Sequence, residues 1–458
     1  MMRKTIYILA ASCMALVSCS NFLNVKPQGK VLPQTDEEFA SIMHNRICDI
    51  EGGYDEFVIG NMDVISRREG CSDDLDANIA VGNITAYAGD VINNRQSDYR
   101  EIFEIVRDCN IVIENLEGRT TTLASDVLAA AYAMKGICYY NLMRDFCDAW
   151  HASDAEEQLG MPLIDEFDIL DMTVRASLAQ TARYTEGLLN KSLAKKMSDG
   201  KFFFTEYIVK AYQARLAFWT EDWGKTISIC NDIITNSGVS LTSIDGYEEM
   251  IQAQYDKKGE VLVRSHINNS SELDWYFSYV KGYIKTRPAS SALVALYDKE
   301  NDVRYKVGLD EKRMGAKIPE CRVRLSEIYL MLAEAYSHKG EDERALTVLN
   351  ELRRHRITNV VDLTIATLPP LRNDNRIVVD AEGESLTPLL QAILDERRRE
   401  MFLEGDRWFE LKRNGCPEWW IINNGLKYTT KKYMYTAPIY KGDVDLNPDL
   451  KQNPGYEG

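Results

Sequence analysis

Along much of the chain apolar residues recur every three and four positions, the period that places them on one face of an amphipathic helix. Tyr99, Ile102, Phe103, Val106, Asn110 and Ile113 share such a face and predict a helix over 99–116. A second follows over 123–146, where Val127, Ala130, Ala131, Met134, Ile137, Cys138, Asn141 and Leu142 align. The small residues in that run suit close packing of helices. Caps mark further starts: Thr35 with Glu38 spells a capping box opening a helix to about Arg46, and Ser177 opens one over 178–197. Thr205 opens the next, whose partner begins near Trp223, and Pro388 to Glu404 is the last. Between the helices, residues 48–98 and 240–320 show little periodicity, apart from a strand candidate at Glu260 to Arg264. Residues 357–385 read as a further insertion, and the chain after Glu404 reads as turns and loops.

The stretch from Arg322 to Arg356 organises this pattern. Leu325, Ile328, Tyr329, Leu332, Ala333 and Tyr336 form one face, and Gly340 then interrupts it. Glu341, Asp342 and Glu343 suit the positive start of a second helix, which turns Ala345, Leu346, Leu349 and Leu352 inward and ends in Arg353, Arg354 and Arg356. Large, small and turn residues fall where a tetratricopeptide hairpin places them. Ala214, Ala217, Thr226, Cys230 and Ile233 repeat the spacing of Ala333, Tyr336, Ala345, Leu349 and Leu352. A hairpin of this kind cannot bury its own face, so a repeated one predicts a stacked scaffold. The expected fold is mainly α: a tetratricopeptide-like helical repeat scaffold with an irregular lobe containing short β-strands. The repeats fall within about 99–238 and 322–410, and the lobe mainly within 48–98 and 240–320.

The first residues suggest export. Arg3 and Lys4 precede a mostly apolar run from Ile6 to Val17, too short to span a bilayer, which ends at Leu16-Val17-Ser18-Cys19. This resembles a bacterial lipoprotein signal, which implies cleavage after residue 18, acylation of Cys19 and a single mature domain over 19–458. A plain secretory leader with Cys19 incidental is the alternative. Ten cysteines would suit a disulfide framework, but beyond Cys13 and Cys19 they are scattered without a CxxC, and no disulfide is expected.

A net charge of −16 over 458 residues argues against a nucleic-acid partner. No GxSxG, HExxH, P-loop or dinucleotide-binding glycine pattern occurs, and the five histidines are isolated, so neither a metal nor a cofactor is expected. Seventy acidic residues supply candidate carboxylate pairs for glycoside hydrolysis but no means of choosing one. Glu396 to Glu400, Glu404, Asp406, Arg407 and Glu410 read as ion pairs joining helices rather than as catalytic groups. Sugar rings need flat aromatic faces and polar groups for their hydroxyls. The richest local supply is Trp275, Tyr276, Phe277, Tyr279 and Tyr283, preceded by Asn268, Asn269 and Asp274. Trp150 and His151 are an outside candidate.

Four pieces together resemble the SusD/RagB family of Bacteroidetes surface lipoproteins. They are Cys19 with Phe22, Leu23 and Pro27; the hairpin from Glu327 to Ala335 with Gly340, Ala345, Asn350 and Arg353; Glu396 to Arg413; and Pro438 to Tyr456. The resemblance implies non-catalytic capture of a glycan at the outer membrane. It also implies delivery to a SusC-like TonB-dependent transporter, over which such a protein sits as a lid and which its tetratricopeptide-like units contact. It places the ligand site in the non-repeat half, with Trp275, Tyr276, Tyr279 and Tyr283 and the loop around Asp73, Asp74 and Asn78 as the expected contacts. A surface scaffold binding only proteins and a glycosidase are the competing readings.

Overall fold

Helix starts are set by side chains that satisfy the first free backbone N–H groups. In the computed structural model, which describes residues 33–76, 95–166, 173–253, 257–264, 287–317, 319–423 and 425–456, such caps are seen at several helix starts, but Thr205, expected to cap the helix that follows it, makes no side-chain cap hydrogen bond. Thr35 Oγ1 accepts the Glu38 N–H at 3.3 Å while Glu38 accepts that of Thr35 at 3.0 Å, opening α1 (Asp36–Glu51). It runs more than a turn past the expected Arg46. Asn61 caps α2 (Met62–Cys71), a helix inside the stretch expected to be irregular. Its sequence lacks an amphipathic period because Val64, Ile65, Ser66 and Glu69 are all buried.

Four long helices follow the expected positions closely: α3 (Gln96–Leu116), α4 (Thr122–Phe146), α5 (Leu178–Ala194) and α6 (Glu206–Trp219). Helix α4 is buried nearly all round, between α1, α3 and α5. Gly136 on α4 lets α5 come close, since a Cβ there would stand 2.9 Å from Leu189. Ser177 and Gln180 form the reciprocal box at the start of α5. Next come α7 (Trp223–Asn236) and α8 (Ile244–Gln252), then β1 (Val261–Arg264). The short helices α9 (Ser291–Val294) and α10 (Val303–Gly308) precede β2 (Arg322–Arg324), which pairs antiparallel with β1.

Strand β2 leads directly into α11 (Leu325–His338), and α12 (Asp342–Arg354) turns back along it. Gly340 makes the turn at φ +71°, a left-handed conformation that costs glycine little. Helix α11 packs on α12, α7, α6 and α13 (Pro388–Glu400), which makes it the centre of the repeat scaffold. Its expected inward face is buried, with Tyr329 only partly so.

Helix α13 stops at Glu400 rather than Glu404. It is followed by α14 (Arg407–Arg413), an antiparallel hairpin of β3 (Trp419–Asn423) and β4 (Leu426–Thr430), and α15 (Lys441–Leu446). The helices and the hairpin correct the expectation of turns alone. Asn424-Gly425 between two apolar runs was the available hairpin signal.

The charged residues around α13 form a buried lattice. Glu400 accepts from Arg356 at 2.9 Å, Arg304 at 2.8 Å and Arg324, while Glu404 accepts from Arg324 at 3.0 Å and Lys317 at 2.8 Å. Glu260 adds contacts to Arg356 at 2.7 Å and Arg324 at 3.1 Å, tying β1 to the ends of α12 and α13. These groups hold elements together, as the sequence reading expected. The eight cysteines in the described residues are free thiols, Cys48 exposed and the others buried. Among the described residues no helix is long and apolar enough to cross a membrane.

Candidate functional site

The two aperiodic regions meet in the fold. Leu75 pairs with Ala289 in an antiparallel bridge, Asp76 N donates to Pro288 O at 2.8 Å, and Ser290 N donates to Asp74 O at 2.7 Å. Beside this bridge lies a cleft of about 440 Å³. Asp73 contributes to its lining, as do Ser290, Ala292 and Leu296 around α9 and Arg398, Arg399 and Asp395 on α13. The remaining wall is the loop that carries Pro369, Arg372, Asp374, Asn375 and Arg376.

Each wall is held by contacts behind it. Arg372 takes Asp395 through two nitrogens, one at 2.7 Å, and its backbone N–H donates to Gln391 Oε1 at 2.7 Å, which moors the loop to α13. Arg399 donates to Leu296 O at 2.9 Å and to Glu396, joining α13 to the end of α9. Arg398 donates to Asp74 Oδ1 at 2.6 Å and to Asp73 O at 3.0 Å.

Asp73 sits among three guanidinium groups: Arg407 at 2.7 Å, Arg398 at 3.3 Å and Arg376 at 3.4 Å. Burial opposes its ionisation, but Arg398 and Arg407 outweigh that and hold its carboxyl well below the usual range. Asp74 is 1% exposed and lies outside the lining. Burial raises its pKa against the pull of Arg398, and its Oδ2 has no hydrogen-bond partner among the described residues. Asp73 therefore borders the cleft with its carboxylate already engaged, and Asp74 braces it from below the surface.

The other sequence candidates, Cys19, Asn78, Trp275, Tyr276, Tyr279 and Tyr283, lie outside the described residues. Trp150 lines a smaller cleft of about 210 Å³ between α5 and α6, together with Arg183, Glu186 and Gln213. A third, of about 340 Å³, is bordered by Tyr54, Asp49, Glu56, Glu101 and Glu104. Sequence reasoning missed Arg372, Asp374, Asn375, Arg376 and Asp395. The run Arg-Asn-Asp-Asn-Arg over 372–376, just after Pro369-Pro370, was its only local signal.

The cleft can do one kind of chemistry well. Its wall presents guanidinium, carboxylate and amide groups from separate elements, which suits hydrogen bonding to a polyhydroxylated or charged ligand. The fold class is a tetratricopeptide-like helical scaffold carrying this cleft where its less regular part meets α13. The family model for SusD matches residues 212–456, and the chain belongs to that family. A SusD-like protein of Formosa agariphila is 31% identical over 134 residues, 29% of this chain and 24% of that relative, so the match spans about a quarter of its length. A SusD superfamily protein of Bacteroides thetaiotaomicron superposes with a TM-score of 0.72 at 20% identity, covering 92% of this chain and 100% of that one. A SusD-like carbohydrate-binding protein of Bacteroides vulgatus superposes at 0.66 with 14% identity, covering 91% and 98%. At such identities the likeness is one of fold.

Proposed function

We propose that the protein binds an oligosaccharide or polysaccharide at the cell surface and passes it, uncut, to a SusC-like TonB-dependent transporter in the outer membrane. The observation that carries this reading is the cleft at the Leu75–Ala289 bridge, lined by Arg372, Asp374, Asn375, Arg376 and Asp395. Family membership supports it, as does the carbohydrate-binding relative of the same fold. In this reading Trp275, Tyr276, Tyr279 and Tyr283 supply flat faces for pyranose rings, and Asp73 and Asp74 keep the polar wall in place. Lipid on Cys19 anchors the chain to the outer membrane. No hydrolysis is proposed, because the buried carboxylates around α13 are committed to arginine and lysine partners.

Titration of the purified mature protein with a panel of plant and host polysaccharides tests the reading. Saturable binding that Trp275→Ala abolishes supports it. Absence of binding across the panel, or release of reducing sugar, contradicts it.

A further inference from the structure

The arginines of the cleft are not equally engaged. Arg372 is neutralised by Asp395 and Asp374, and Arg399 by Glu396. Arg398 is held by Asp74 and Asp73, and Arg407 by Asp73 and Glu410. Arg376 differs. Its guanidinium makes no hydrogen bond among the described residues, and its side chain is 40% exposed in the cleft wall. Its contacts are a 3.4 Å approach of Nε to Asp73 and a stack over the Trp419 ring at 5.0 Å. Asp73 is shared with two closer guanidinium groups, so it offsets Arg376 only in part.

Arg376, Arg398 and Arg407 face Asp73 and Asp74, with Glu410 behind Arg407. Three guanidinium groups thus face two aspartates, and burial pushes Glu410, the carboxylate behind Arg407, up to about 7. Burial lowers the pKa of Arg376, and Arg398 and Arg407 add to that effect against Asp73. An anion brought to the open side of Arg376 would reverse this repulsion. The Trp419 ring lies 5.0 Å from the Arg376 guanidinium, and a planar guanidinium fork suits two-point contact with a carboxylate or sulfate.

Building on the proposed glycan capture, we infer that the cleft takes an acidic saccharide, whose carboxylate or sulfate is received by Arg376. Neighbouring Asn375 and Ser290 offer hydrogen bonds for the ring hydroxyls. The chain as a whole is acidic, so this attraction is local to the cleft, and for an exposed pair it weakens as salt is added.

The experiment is a glycan array of matched neutral, uronic-acid, sialylated and sulfated oligosaccharides, probed with the mature protein and two variants. Binding is expected on acidic members, with the uronic-acid, sialylated and sulfated arms separating carboxylate from sulfate. Arg376→Gln is expected to weaken those hits about 10- to 100-fold, the worth of a hydrogen bond to a charged group, and to leave neutral hits unchanged. Arg376→Lys, which keeps the charge but loses the planar fork, is expected to recover only part of the binding, and both variants to melt like the parent. Hits confined to neutral glycans, or acidic hits that survive Arg376→Gln, overturn the inference and leave glycan capture standing. An array with no hits overturns capture itself.

Discussion

Arg356, just beyond the end of α12, donates through Nε to Glu400 at the end of α13 across 2.9 Å, and neither side chain is exposed. Glu400 also accepts from Arg324 and Arg304, so one carboxylate bridges three buried cations from three separated segments, whose charge it offsets together with Glu260, Glu404, Glu396 and Asp302. Burying charge is unfavourable unless it is paired, and the cost of breaking such a site exceeds the net worth of the pair. Glu400→Gln is therefore predicted to destabilise the protein by about 3–5 kcal/mol. The midpoint of urea unfolding measures this. A shift corresponding to less than about 1 kcal/mol, the scale of an exposed ion pair, contradicts the prediction.

Stability should peak on the acid side of neutrality. Burial opposes ionisation of Glu396 and Glu404, but Arg304 and Arg324 outweigh it and hold both at about 2 against the usual 4.5. Their contribution is complete above 4.5 and is lost as pH falls towards 2. Glu221 and Glu410 are shifted the other way by burial, to about 7. They are protonated in the folded chain when the unfolded chain has already lost the proton, so stability falls as pH rises from 4.5 to 7. Thermal melts from pH 2 to 8 are predicted to rise and then decline, with Glu221→Gln flattening the decline. A curve that climbs steadily to pH 8 contradicts this.

Asp73 is predicted to matter for folding before it matters for a ligand. Asp73→Asn leaves Arg407 and Arg398 short of a partner inside the protein, at a cost of about 3–5 kcal/mol. A pure ligand contact would leave stability unchanged and reduce binding alone. Unfolding and titration of the same variant separate these outcomes.

Elements with local instructions were legible in the sequence. Thr35 with Glu38, Ser177 with Gln180, and Pro388 after its cap Thr387 each state a helix start within a few residues, and the structure follows them. Helix α2 was not legible, because burial on several sides erases the amphipathic period by which a helix is recognised. The hairpin of Trp419 to Thr430 was written in Asn424-Gly425 but lay among loops already read as irregular. The cleft was the least legible part. Asp74 finds its partner Arg398 at a separation of 324 residues, and whether a carboxylate faces a ligand or an arginine is decided by that tertiary pairing. The same holds for Arg376, which stands out only because the other arginines of the cleft are better engaged.

The central claim is that the cleft beside the Leu75–Ala289 bridge is where carbohydrate is held. Hydrogen–deuterium exchange of the mature protein, with and without a polysaccharide that binds it, tests this most directly. The account predicts slowed exchange in residues 287–296 and 369–376, which border that cleft. Protection confined to residues 179–186 and 213–225, or to residues 46–58, would move the site to another of the clefts described above and contradict it.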